Sequence, residues 1–122
     1  MKLLNNLYTI VESNDNNFRI ALNAEDTIYR AHFPEQPITP GVCIIQIASE
    51  LLNVLLNKDL VLSEVVNAKF LSVINPVETG EVVYTIGKIV NIETDNTLKV
   101  AITVSSDKTV CAKLSLLYKI ND

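Results

Sequence analysis

AHFPEQPITPGVCIIQIASELLNVLLN, residues 31–57, is the stretch around which the rest of the chain is organised. It holds the only histidine, His32, and three of the four prolines, Pro34, Pro37 and Pro40. Each proline fixes its own φ near −65° and offers no N–H, so the segment after His32 is a stiff loop. Each also drives the residue before it toward extended backbone, which keeps Phe33, Gln36 and Thr39 out of a helix. Gly41 then opens a helix predicted over Val42 to Leu56, apolar on most of its circumference and therefore buried. Gln46, Ser49, Glu50, Asn53 and Asn57 fall on one narrow polar stripe. The first turn of such a helix carries N–H groups without intrahelical acceptors and a partial positive charge. A lone base, a rigid loop and a helix N-terminus together suit the stabilisation of a developing oxyanion.

Outward from this centre the chain reads as β-structure. Leu7 to Val11 and Phe18 to Leu22 flank a polar turn at Glu12–Asn17 and predict a hairpin. Residues 24–30 read as a connection. After Leu60 the period becomes two, with strands expected at Val65–Val73, Glu81–Glu93, Leu98–Ser105 and Val110–Ile120. The joins carry turn residues: Asn75-Pro76 with Thr79-Gly80, Thr94-Asp95-Asn96 and Ser106-Asp107-Lys108. The expected architecture is α+β, one antiparallel sheet wrapped around a central helix, in a single domain spanning 1–122.

Composition narrows the function classes. The chain has 122 residues, 48% of them hydrophobic and 20% charged, with a net charge of −4. A mean hydropathy of +0.27 is apolar for a small monomer and predicts an oligomer interface or a greasy ligand channel. The acidic balance argues against a nucleic-acid partner. Two distant cysteines, Cys43 and Cys111, offer neither a disulfide framework nor zinc spacing, and one histidine does not make a metal site. No apolar run reaches membrane-spanning length and none resembles a signal peptide, so the expected compartment is the cytoplasm.

The run His32-Phe33-Pro34-Glu35-Gln36-Pro37-Ile38-Thr39-Pro40-Gly41-Val42 resembles the signature of the hot-dog-fold 3-hydroxyacyl-[acyl carrier protein] dehydratases, H-F-P-x-x-P-(V/I)-x-P-G-V. The segment Lys69-Phe70 through Pro76 to Glu81 is similar to that family's later K-F-x-x-x-V-x-P-G-D. The resemblance implies a hot-dog fold and a lyase that dehydrates 3-hydroxyacyl groups on an acyl carrier protein, in fatty-acid-like or polyene biosynthesis. It further implies no cofactor and a homodimer or higher oligomer, in which joined sheets bring the histidine of one subunit near the acid of the other.

In this reading His32 is the base, its ordinary pKa of about 6.5 suiting proton removal near neutrality. Phe33, Pro40, Gly41 and Val42 line the acyl thioester, with the Gly41 or Val42 N–H on its carbonyl oxygen. The family acid lies fourteen residues after the histidine, and there this chain has Gln46, an amide that cannot supply a proton. Glu50, one turn on and on the same stripe, is a candidate to take over the acid's role; the other reading points it to solvent with Asn53 and Asn57. Cys43 lies in the first helical turn, where the partial positive charge would lower a thiol pKa, but reads rather as a small buried hydrophobe; Tyr29 and Arg30 read as a solvated pair or the lining of a channel mouth. The alternatives to the enzyme are a non-catalytic acyl-thioester-binding or partner subunit and, less favoured by the motif, a thioesterase.

Overall fold

The computed structural model describes residues 2–31 and 35–121. Strands β1 (Tyr8–Asn14) and β2 (Asn17–Leu22) form the expected hairpin, with Asp15 in left-handed backbone at its turn. A short helix α1 (Thr27–Ala31) follows where the sequence read only as a connection. Asp26 explains it: its side chain caps the turn by accepting from the Ile28 N–H at 2.9 Å. The long helix α2 (Gly41–Leu56) starts after Pro40 in extended backbone. It ends at Asn57 in left-handed backbone, whose N–H returns to the Asn53 carbonyl.

Strands β3 (Leu60–Phe70), β4 (Glu81–Ile92), β5 (Thr97–Ser106) and β6 (Thr109–Ile120) complete one antiparallel six-stranded sheet in the order β1-β2-β4-β5-β6-β3. The turns between the last strands fall where the short polar residues predicted, with Asn96 and Asp107 both left-handed. Strand β3 begins five residues earlier than its apolar alternation suggested, and the reason is its environment. It is the sheet's edge, exposed along almost its whole length, so no buried face imposes a period of two.

The inner strands do alternate. Val82, Tyr84 and Ile86 of β4, Val100, Ile102 and Val104 of β5, and Leu114, Leu116 and Tyr118 of β6 are all buried. Against them lie Cys43, Ile44, Ile47, Ala48, Leu51 and Leu52 of α2. Every tyrosine fastens α2 or the loop before it. The Tyr8 hydroxyl donates to Glu50 Oε1 at 2.9 Å and the Tyr84 hydroxyl to the Ile44 carbonyl at 3.0 Å. The Tyr118 hydroxyl pairs with Ser49 Oγ at 2.8 Å, and that of Tyr29 with Thr39 Oγ1 at 2.9 Å. An aromatic ring needs a polar partner for its hydroxyl when buried, and here that need fixes the helix on three strands. Two expectations are corrected by this packing. Ser49 leaves the polar stripe and faces the core, and Tyr29 is buried rather than solvated.

These hydroxyls make the protein sensitive to alkali. Burial pushes all four tyrosines up, Tyr118 to about 12 with its Ser49 bond partly offsetting, and the Glu50 carboxylate adds to the rise at Tyr8. The folded state therefore keeps protons that the unfolded chain releases near pH ~10. Stability is intact below that pH and falls as it rises toward 12. Tyrosinate absorbance is expected to appear together with loss of the folded circular-dichroism signal; tyrosines ionising near pH 10 in a still-folded protein would contradict it.

Candidate functional site

The loop that opens α2 is tied down on both sides. The Thr39 N–H donates to the Ile74 carbonyl at 2.8 Å, and its hydroxyl is held by Tyr29. Pro40 presents its carbonyl to the N–H groups of Cys43 and Ile44 at 3.0 and 3.1 Å. The N–H groups of Gly41 and Val42 precede the first intrahelical bonds and have no acceptor among the described residues. Gly41 does not have positive φ, so the residue is not there for backbone freedom. It is there for room: a Cβ at Gly41 would lie 2.9 Å from Cζ of Phe70. Beside this contact opens a mostly apolar cavity of about 440 Å³, lined among others by Ile38, Pro40, Gly41, Ile44, Phe70 and Ile74. Val42 projects outward, 66% exposed.

Gln46 and Glu50 are brought together, as their spacing on one helix face predicted. Gln46 Nε2 donates to Glu50 Oε2 at 2.8 Å. The structure also gives Glu50 an occupation the sequence did not announce. Its carboxylate accepts the Leu3 N–H and the Leu4 N–H, both at 2.8 Å, and the Tyr8 hydroxyl. Glu50 thus anchors the N-terminal turn to α2 while orienting the Gln46 amide. Because Glu50 Oε2 accepts from the Gln46 nitrogen, the amide oxygen of Gln46 is turned the other way. Lys2, Leu4, Gln46, Glu50, Asn53 and Val54 line a second cavity of about 350 Å³.

Asn53 and Asn57, grouped with Glu50 by the sequence, serve the helix end. Asn53 Oδ1 accepts the Leu60 N–H at 3.1 Å and Asn57 closes the last turn. Cys43 is buried, and burial raises its thiol pKa, with the nearby Asp26 charge adding to the rise. That fits the reading of a small buried hydrophobe rather than a nucleophile. His32, Phe33 and Pro34 lie outside the described residues, which end at exposed Ala31 and resume at exposed Glu35.

One antiparallel sheet of six strands wrapped on a single long helix, with a proline-stiffened loop leading into that helix, defines a hot-dog-fold protein. The chain belongs to the ApeI-like family of dehydratases, whose model, described as ApeI dehydratase, matches residues 9–113. Among solved structures it is similar to the dehydratase heterocomplex ApeI:P from Xenorhabdus doucetiae, at 21% identity and a TM-score of 0.66, covering 88% of this chain and 91% of that one. It is also similar to Cj0977, a sigma28-regulated virulence protein from Campylobacter jejuni, at 17% identity and a TM-score of 0.66, covering 99% and 89%. A hypothetical thioesterase with coenzyme A from Streptococcus pneumoniae aligns at 14% identity and a TM-score of 0.60, covering 93% and 85%. These likenesses show the fold. Among curated proteins none matches the chain. Among the described residues no helix is long and apolar enough to cross a membrane.

Proposed function

We propose that the protein dehydrates 3-hydroxyacyl groups carried as thioesters on an acyl carrier protein, in the cytoplasm, in a fatty-acid-like or polyene route. The observation that carries this reading is the dehydratase family match over residues 9–113, which includes the whole of the His32–Val42 motif. His32 takes the proton from C2 of the acyl chain. The thioester oxygen gains charge as that proton leaves, and the Gly41 and Val42 N–H groups donate hydrogen bonds to it. The C2–H electron pair becomes the C2=C3 double bond as the C3–O bond breaks. The hydroxyl takes up a proton and departs as water, leaving a trans-2-enoyl thioester.

The proton comes from the acid side, which we assign to Gln46 and Glu50 together. Gln46 orients the 3-hydroxyl, and Glu50 behind it gives the proton from the protonated form of its carboxyl group, which takes a proton back from solvent between turnovers. Phe33 and Pro40 bound the acyl group, while Val42, whose side chain projects outward, contributes its N–H alone. Incubation with a 3-hydroxyacyl carrier protein, followed by mass spectrometry, should report the loss of water from the loaded carrier. Unchanged mass would refute dehydration, and release of the free carrier thiol would mark a thioesterase instead.

A second reading is favoured by one observation: the Glu50 carboxylate is engaged by the Leu3 and Leu4 N–H groups, the Tyr8 hydroxyl and the Gln46 amide, and an amide stands at the family's acid position. On that reading the chain is an acyl-thioester-binding or partner subunit. The similar Xenorhabdus structure is that of a heterocomplex.

A homodimer through β3 belongs to the proposal. Strand β3 leaves one edge of its backbone unpaired and exposes Val61, Leu62, Val65 and Val66 along eleven residues with only two charges, Glu64 and Lys69. A long apolar edge of this kind invites a further strand. Antiparallel pairing with a second copy would join the two sheets. Solution scattering at micromolar concentration should return the mass of a dimer or a multiple of it, and a monomer would count against the arrangement.

A further inference from the structure

We propose that Phe70 selects acyl groups at the start of α2, admitting chains unbranched next to the reacting carbons and rejecting branched ones. The proposal rests on the reading of the cavity as an acyl site. Phe70 is the last residue of β3, paired with Ala112 of β6, and the chain behind it is held by Leu71 and Ser72, whose N–H groups both donate to the Cys111 carbonyl. With its backbone so fixed, the ring reaches across to α2. A Cβ at Gly41 would meet Cζ at 2.9 Å, Cε2 at 3.1 Å and Cε1 at 3.4 Å, so the far edge of the ring lies on the first residue of the helix. The same ring is 49% exposed.

A large aromatic ring that packs by its tip on a glycine and is otherwise open sits at a mouth rather than in a core. The cavity it borders, about 440 Å³ and mostly apolar, has the size of a small-molecule site. Its lining combines apolar side chains from the Pro loop, from Ile44 of α2 and from Ile74 with the helix start. That pairing suits an acyl thioester, whose polar carbonyl and greasy chain need both. An acyl group with its carbonyl on the Gly41 or Val42 N–H has C2 to C4 beside the Phe70 ring. A straight chain passes such a ring edge, whereas a branch at C4 collides with it.

The test uses unreactive thioether analogues of acyl-pantetheine, one with a linear chain and one branched at C4, titrated against the whole protein. Phe70→Ala should raise the affinity for the branched analogue relative to the linear one on the order of tenfold, the scale of a methyl group gained or lost in an apolar pocket. Phe70→Leu, which keeps more bulk, should fall between, and serves as the reading if the alanine variant fails to fold. An unchanged ratio in the folded variants overturns the proposal, as does failure of the parent to bind either analogue. A ratio that stays fixed while the dimer weakens would show the ring covered by a second copy instead. Because binding is read without turnover, a shifted ratio in a protein that dehydrates nothing upholds Phe70 and refutes the dehydratase. Dehydration with an unshifted ratio does the reverse.

Discussion

His32→Ala is expected to lower the rate of dehydration by ~10² or more while the protein stays folded, the usual loss when a positioned proton-transfer group is removed. The expectation rests on the proposed role of the only histidine in the sequence, which is followed by three prolines and by the N–H groups of an α-helix start. A base must be neutral to accept a proton, so the parent's rate should also fall toward acidic pH, and the alanine variant should lose that dependence. Circular dichroism of the variant separates chemistry from folding. A variant that turns over substrate as fast as the parent would remove His32 from the mechanism.

Glu50→Gln should show two effects that separate the carboxylate's two roles. The first is structural. The carboxylate accepts from two backbone N–H groups, a tyrosine hydroxyl and the Gln46 amide, and an amide in its place brings donors against donors. Bonds to a charged acceptor are worth about 1.5–3 kcal/mol each, so a loss on the order of 2–3 kcal/mol is expected, against the few tenths typical of a surface glutamate. In a domain of this size that lowers Tm by roughly 10 °C. The second is chemical: if Glu50 carries the proton for the leaving hydroxyl, dehydration is abolished well below the melting transition. Gln46→Glu should then restore or strengthen an acid at the family position, and Gln46→Ala should cost less than loss of Glu50. Full activity in a folded Glu50→Gln protein would sink the exchange of roles and leave Glu50 as the anchor of the N-terminal turn.

Much of this architecture was legible in the sequence because its signals are local. Prolines fix φ whatever surrounds them, so the loop before α2 and the start of the helix could be placed to within a residue. The left-handed turns at Asp15, Asn96 and Asp107 fall in the expected clusters of short polar residues for the same reason. Inner strands alternate because one face of each is buried, and β4, β5 and β6 were read correctly from that pattern. Strand β3 was not, since its period is set by a neighbour rather than by its own burial. The helix α1 escaped notice because five residues with a single Asp cap give too short a periodic signal.

By itself, then, the sequence determined the fold class, the family, the extended Pro40 before α2 and the meeting of Gln46 with Glu50, all legible along one segment. Only the tertiary structure decided what those groups do besides. Glu50 lies forty-six and forty-seven residues from the N–H groups it binds, and no periodicity links them. Tyr84 finds the Ile44 carbonyl, and Tyr118 finds Ser49, across forty and sixty-nine residues. The Phe70 ring meets Gly41 only because the edge strand ends beside the helix start. A helix turn brings together what is four residues apart; which strand crosses which turn is set by the packing of the sheet as a whole.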